Sequence, residues 1–117
     1  MRQHLGEFEQ LLLFALLDLG EGAHGVSIRR AIEEKTGRLV SPGAVYTALE
    51  RLASRGFVAA RIGETTPARG GRRRKLYRLE PAGVEALQRS FTTLRKMARG
   101  LEPKLADLAG PSEGGGR

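Results

Sequence analysis

Residues 41–83 read SPGAVYTALERLASRGFVAARIGETTPARGGRRRKLYRLEPAG. Ser41 is a helix N-cap residue, and Pro42 stands at the first helical position, where a missing N–H removes nothing the helix would use. Val45, Leu49 and Leu52 follow at spacings of four and three, which makes them one buried helical stripe. Gly56 ends that helix. Phe57–Ile62 is a short β-prone run, and Arg74–Leu79 alternates polar and apolar as a half-buried strand does. Between them, Pro67 and Gly70-Gly71 place a turn. A capped helix followed by a hairpin with a basic tip can hold DNA in two places at once.

Working upstream, a helix is expected over Gly25–Thr36, with Val26, Ile28, Ala31 and Ile32 as its apolar positions and Gly37 at its C-terminal cap. The short linker GRLV joins it to the capped helix, and the pair is a helix-turn-helix candidate. Glu7–Leu19 forms an earlier helix, ended by the GEG at residues 20–22. It is apolar nearly all round, which calls for cover on both sides. A second subunit would supply that cover; the alternative is a single central core helix. Downstream, a helix starts near Pro81 and runs to about Leu101 or beyond. Val84, Leu87, Phe91, Leu94, Ala98, Leu101, Leu105 and Leu108 step along it by threes and fours. Such a heptad favours a seam with another helix over a helix lying across its own domain. Gly100 and Pro103 weaken it near its end.

The fold expected is mainly α with a small β-hairpin: a winged helix-turn-helix with a long C-terminal dimerisation helix. Residues 1–80 form the DNA-binding domain, 81–109 the dimerisation helix, and 110–117 a Gly-rich tail expected to be disordered.

The chain of 117 residues carries a net charge of +7, and its pI is about 10.8. Such a balance fits a nucleic-acid partner, or an excess of surface Lys and Arg that only keeps the protein soluble. The charge is concentrated: between Arg61 and Arg78 stand seven basic residues, Arg61, Arg69, Arg72, Arg73, Arg74, Lys75 and Arg78, against one acid, Glu64. Clusters of this kind bind phosphates because each contact releases condensed counterions. Gly70, Gly71, Arg69, Arg72, Arg73, Arg74 and Lys75 are therefore assigned to DNA contact at the wing.

On the recognition helix the DNA contacts assigned are Ser41, Pro42, Gly43, Tyr46, Thr47 and Arg51. Small residues let the helix start lie close to a phosphate, whose charge its N–H groups favour. Tyr46 and Thr47 offer hydroxyls to phosphate or base; partial burial is the alternative for Tyr46. Arg51 either reaches a phosphate or pairs on the helix surface. Few long side chains point toward bases, so shape readout carries part of the specificity.

No catalytic constellation emerges. His4 and His24 are isolated, and no cysteine can join them as metal ligands. Gly70-Gly71 lacks the Gly-Lys-Ser/Thr ending of a phosphate-binding loop. No cofactor and no metal are expected. The absence of cysteine fits a reducing compartment. Leu11–Leu17 is too short to span a bilayer, which takes about 20 residues, and it follows acids where a signal peptide has basic residues. The expected location is the cytoplasm.

LGEFEQLLLFALL, HGVSIRRAIEEKTGR, SPGAVYTALERLASRGFVAARIG and RGGRRRKLYRLEPAG, taken in order, resemble the PadR family of bacterial transcriptional regulators. The likeness covers roughly Leu5 to Gly83 and is nearest the members with one long C-terminal helix and no effector domain. It implies a winged helix and a homodimer formed mainly by the last helix, with help from the first. Phe8, Leu12, Leu16, Leu87, Phe91, Leu94, Ala98 and Leu101 are the expected dimer contacts. It also implies repression through a palindromic operator, with Tyr46, Thr47 and Gly70–Arg74 at DNA-touching positions. Some members bind small hydrophobic effectors. This chain has no Trp for stacking flat drugs, which leaves an aliphatic pocket near Phe8, Leu12, Leu94 and Met97. Where the family often has Tyr-Gly-Tyr before the second helix, this chain has His24-Gly25-Val26. A second reading, from another class, is a winged-helix module docking RNA or an acidic protein through its basic wing.

Overall fold

A computed structural model describes residues 4–63 and 74–110. Helix α1 spans Glu7–Leu19, α2 Gly25–Thr36, α3 Pro42–Ser54, α4 Pro81–Ala98 and α5 Glu102–Ala109. Strands β1 (Ala23–His24), β2 (Val58–Ile62) and β3 (Lys75–Leu79) form one antiparallel sheet in the order β1-β3-β2. Tyr77, at the centre of β3, pairs with Ala23 on one side and Ala60 on the other. The architecture is therefore mainly helical, with a small sheet that carries the wing.

Local chemistry explains the first three helices. Gly6 N donates to Glu9 Oε1 at 2.9 Å, satisfying a donor at the start of α1. In α2 the N-cap is His24, whose N–H donates to Ser27 Oγ at 3.0 Å. In α3, Ser41 Oγ accepts from Ala44 N at 3.1 Å with Pro42 following it, as expected. The turn between α2 and α3 is held by Glu33, whose Oε2 accepts from Arg29 Nη1 at 3.2 Å and from Val40 N at 3.3 Å.

One core joins these elements. Leu12, Leu13 and Leu16 of α1 meet Ile28 and Ile32 of α2, the α3 stripe Val45, Leu49 and Leu52, and Phe57, Tyr77 and Leu87. At the edge, Arg55 binds the N-terminal segment: Nη2 donates to the His4 carbonyl at 2.6 Å and Nη1 to Glu9 Oε2 at 3.3 Å. Its guanidinium lies 4.8 Å from the Phe57 ring centre. The Tyr77 hydroxyl is buried with no hydrogen-bond partner among the described residues, and burial raises its pKa above the ordinary 10.0.

Two expectations change. The C-terminal segment is two helices, because Arg99 leaves helical geometry and Gly100 takes φ +77°, a conformation L side chains rarely adopt. Pro103 sits in the first turn of α5, where it starts a helix instead of ending one. The second change concerns the seam. Leu12, Leu16 and Leu87 are within 4% of complete burial in the chain's own core, which closes them to a second copy. Phe8 is half-buried against that core. The residues left open are Phe14 and Leu17 on α1 and Phe91, Leu94, Met97 and Leu101 beyond them, with Ala98 also exposed. Phe14 and Phe91 meet edge to face at 5.4 Å, so the two exposed sets are continuous. Of the residues expected to line an aliphatic pocket, Leu12 is buried and Phe8 half-buried, while Leu94 and Met97 are exposed. One hollow of about 430 Å³ lies between α1 and α2, lined by Leu11, Phe14, Leu17, Ala31 and Ile32 with Asp18 and Lys35 at its edge, and another of about 420 Å³ is lined by Phe91, Leu94, Arg95 and Ala98.

Candidate nucleic-acid interface

Helix α3 buries Val45, Ala48, Leu49 and Leu52, and this fixes which side faces out. Ser41, Pro42, Gly43, Tyr46, Thr47 and Arg51 are all exposed. Tyr46 is half open to solvent, so its ring is available to a partner. Arg51 forms no ion pair among the described residues. The helix start thus presents small side chains and the hydroxyls of Tyr46 and Thr47 on one surface, a combination that lets a phosphate oxygen come close.

The wing rises from the β2–β3 ladder. Ile62 pairs with Lys75, and Gly63 N donates to the Arg74 carbonyl at 2.7 Å, closing the last described rung. Arg69, Gly70, Gly71, Arg72 and Arg73 lie outside the described residues. Arg74 and Lys75 stand at the base of the wing, and both are engaged within the chain. Arg74 Nη1 is 2.9 Å from His24 Nε2. Lys75 Nζ donates to Glu50 Oε2 at 3.0 Å, and this hydrogen bond is the largest cause of the raised Lys75 pKa. Arg78 pairs with Glu80 at 2.9 Å.

The wing base is therefore tied to two elements. Arg74 holds it to the α2 cap, and Lys75 holds it to α3, so the exposed face of α3 and the foot of the wing form one surface. Glu50 and His24 were missed by sequence reasoning. His24 and Glu50 both lie outside the stretch in which charge is concentrated. No short-range signal joins residues 25 or 50 positions apart. Among the described residues there is no group of three or more His, Cys, Asp or Glu side chains that could hold a metal ion. No helix among them is long and apolar enough to cross a membrane.

Comparison with known proteins agrees with this geometry. The model of the transcriptional regulator PadR-like family matches residues 13–89, which runs from α1 through the wing into α4. A PadR family transcription regulator from Clostridium difficile superposes with a TM-score of 0.69 at 22% identity, covering 85% of this chain and 99% of its own. A transcriptional regulator from Clostridium thermocellum gives 0.66 at 23%, covering 81% and 89%. Bacillus subtilis PadR in complex with operator DNA gives 0.62 at 22%, covering 72% and 47%. At these identities the likeness establishes the fold. An uncharacterised 37.1 kDa protein in a transposon of Streptomyces fradiae is 32% identical over 90 residues; the match takes in 77% of this chain and spans 24% of that protein's length.

Proposed function

The chain belongs to the PadR-like family of transcriptional regulators, and we propose that it acts in the cytoplasm as a homodimeric, DNA-binding repressor of nearby genes. The observation that supports this best is the 3.0 Å link between Lys75 and Glu50, which makes the recognition helix and the foot of an Arg-rich wing one continuous surface. The relative bound to operator DNA has the same fold. On this reading α3 enters the major groove from its Ser41 end. Arg69, Arg72 and Arg73 supply attraction to the phosphates.

Dimerisation follows from the second exposed surface. Phe14, Leu17, Phe91, Leu94 and Met97 are large apolar side chains left open to water on adjoining helices. A patch of this kind marks an interaction site. Pairing two copies through α4 would set two α3 helices on half-sites about 34 Å apart, one turn of the duplex, which is why a palindromic operator fits. A small hydrophobic effector would find its natural place in the hollow between α1 and α2.

Selection of bound sequences from random duplex DNA, with binding followed by fluorescence anisotropy, tests the proposal. Recovery of a palindrome bound by a dimer, with affinity falling steeply as salt rises, is the expected result. Absence of binding to any duplex overturns it. Stronger binding to RNA or to an acidic protein favours the other reading of the basic wing.

A further inference from the structure

Glu50 is the only acid on helix α3. It is exposed, one turn beyond Tyr46, on the face that would approach DNA. A carboxylate there repels phosphate. Among the described residues its ion pair is with Lys75, at 3.0 Å, and the side chains of Lys75 and Glu50 remain 36% and 60% exposed.

Lys75 lies at the junction of β3 and the wing, paired across the ladder with Ile62. Its ammonium is stabilised in the charged form, chiefly by the hydrogen bond to Glu50. If Lys75 swung to a phosphate, the Glu50 carboxylate would be left unpaired beside the same phosphates. Leaving Glu50 therefore carries two penalties for Lys75: the lost ion pair and a new like-charge repulsion. In the free chain the two charges cancel each other.

We propose that Glu50 is a specificity-determining residue: by holding Lys75 it withdraws one cation from sequence-independent phosphate attraction and leaves discrimination to the groove contacts of α3. The inference rests on the proposed DNA binding. It assigns the two charges opposite effects. Lys75 is neutralised while Glu50 is present, and becomes a phosphate contact when the carboxylate is removed.

The test measures log Kobs against log[salt] by fluorescence anisotropy, on random duplex and on the selected operator, for the wild type, Glu50→Gln, Lys75→Gln and the double variant. Glu50→Gln is expected to steepen the slope on random duplex by about 0.9, the value of one further neutralised phosphate. Random duplex should tighten more than operator, so the preference for operator falls. Lys75→Gln alone leaves the Glu50 carboxylate unpaired and should weaken binding, and Glu50→Gln in the Lys75→Gln background should relieve that loss while steepening the slope by less than it does when Lys75 is present. An unchanged or shallower slope for Glu50→Gln overturns the inference. Equal steepening in both backgrounds also overturns it, because the carboxylate would then act by its own repulsion. Failure of the wild type to bind any duplex would instead remove the functional reading beneath it. Both side chains are exposed, so thermal melting of each variant should match the wild type.

Discussion

Gly83→Ala should destabilise this protein, although the same change at most helical glycines stabilises. Gly83 stands in the first turn of α4, buried where the helix crosses the lead-in to β2. A β-carbon there would collide with the carbonyl oxygen of Phe57, and it would stand 3.1 Å from both that carbonyl carbon and Leu79 Cδ1. The same oxygen accepts a hydrogen bond from Glu80 N at 3.0 Å. Backbone lies on both sides of the contact, so no flexible side chain can yield to relieve it. Ala is better than Gly inside a helix by about 1 kcal/mol. Overpacking costs about 1–3 kcal/mol, and losing the hydrogen bond from Glu80 adds about 1 kcal/mol. The net expectation is a loss of about 1–3 kcal/mol, or a Tm lower by roughly 4–12 °C for a domain of this size. Gly43→Ala is the control: a β-carbon at Gly43 meets nothing within 4 Å, and that change should be neutral or slightly stabilising. Urea unfolding at one fixed protein concentration measures both, with an unchanged m-value required for the comparison. If Gly83→Ala proves as stable as the wild type, α4 does not seat against the Phe57 carbonyl. The direction in which the apolar face of α4 leaves the domain would then need another origin.

Other consequences are open to simple measurements. Tyr77→Phe should leave stability unchanged or raise it by up to about 1 kcal/mol, because the buried hydroxyl has no hydrogen-bond partner among the described residues. Burial holds the Tyr77 proton more tightly in the folded state, so the unfolded chain loses it first as pH rises through 10.0 and stability falls there. The variant should show a shallower loss in alkaline urea titrations. Arg55→Lys should destabilise by about 1–2 kcal/mol in the same assay, since an ammonium cannot serve the His4 carbonyl, Glu9 and the Phe57 ring together. Arg72→Ala and Arg73→Ala should each flatten the salt dependence of duplex binding by about one unit. Phe91→Ala with Leu94→Ala should shift light scattering toward monomer while leaving the far-UV circular dichroism in place, because both side chains are exposed within one chain.

How far each feature could be read in advance depended on how local its cause is. The bounds of α1, α2 and α3 were legible because periodicity and caps act within a few residues, as at Ser41 and Pro42. The two-residue strand β1 was not legible. It exists only through pairing with β3, some fifty residues later. His24 was passed over as a cap because capping is ordinarily read from Ser, Thr, Asp and Asn, yet its N–H is held there by Ser27 Oγ. The heptad from Val84 onward was real as a pattern and incomplete as an interface. An apolar residue every three or four positions marks a face to be covered, and Leu87 is covered by the chain itself while Phe91 and Leu94 are not. Where one helix becomes two was signalled by Gly100 and Pro103, but their roles emerge only from the backbone: Gly100 makes the break and Pro103 begins the next helix.

The same distinction bears on the basic surface. Counting charges between Arg61 and Arg78 treats every cation as available to a phosphate. Folding removes that equality. Arg78 is closed by Glu80, Lys75 by Glu50, and Arg74 faces His24. Two of these partners lie upstream of the counted stretch and the third just past its end. Arg61, exposed on β2, forms no ion pair among the described residues. The cations at the base of the wing are thus held by the chain itself. On the proposed reading, attraction to a duplex then falls on Arg61 and on Arg69, Arg72 and Arg73, which lie outside the described residues. An exposed ion pair contributes little to stability, between about 0 and 1 kcal/mol. The pairs at the wing base therefore matter less for holding the fold than for deciding which charges a partner meets.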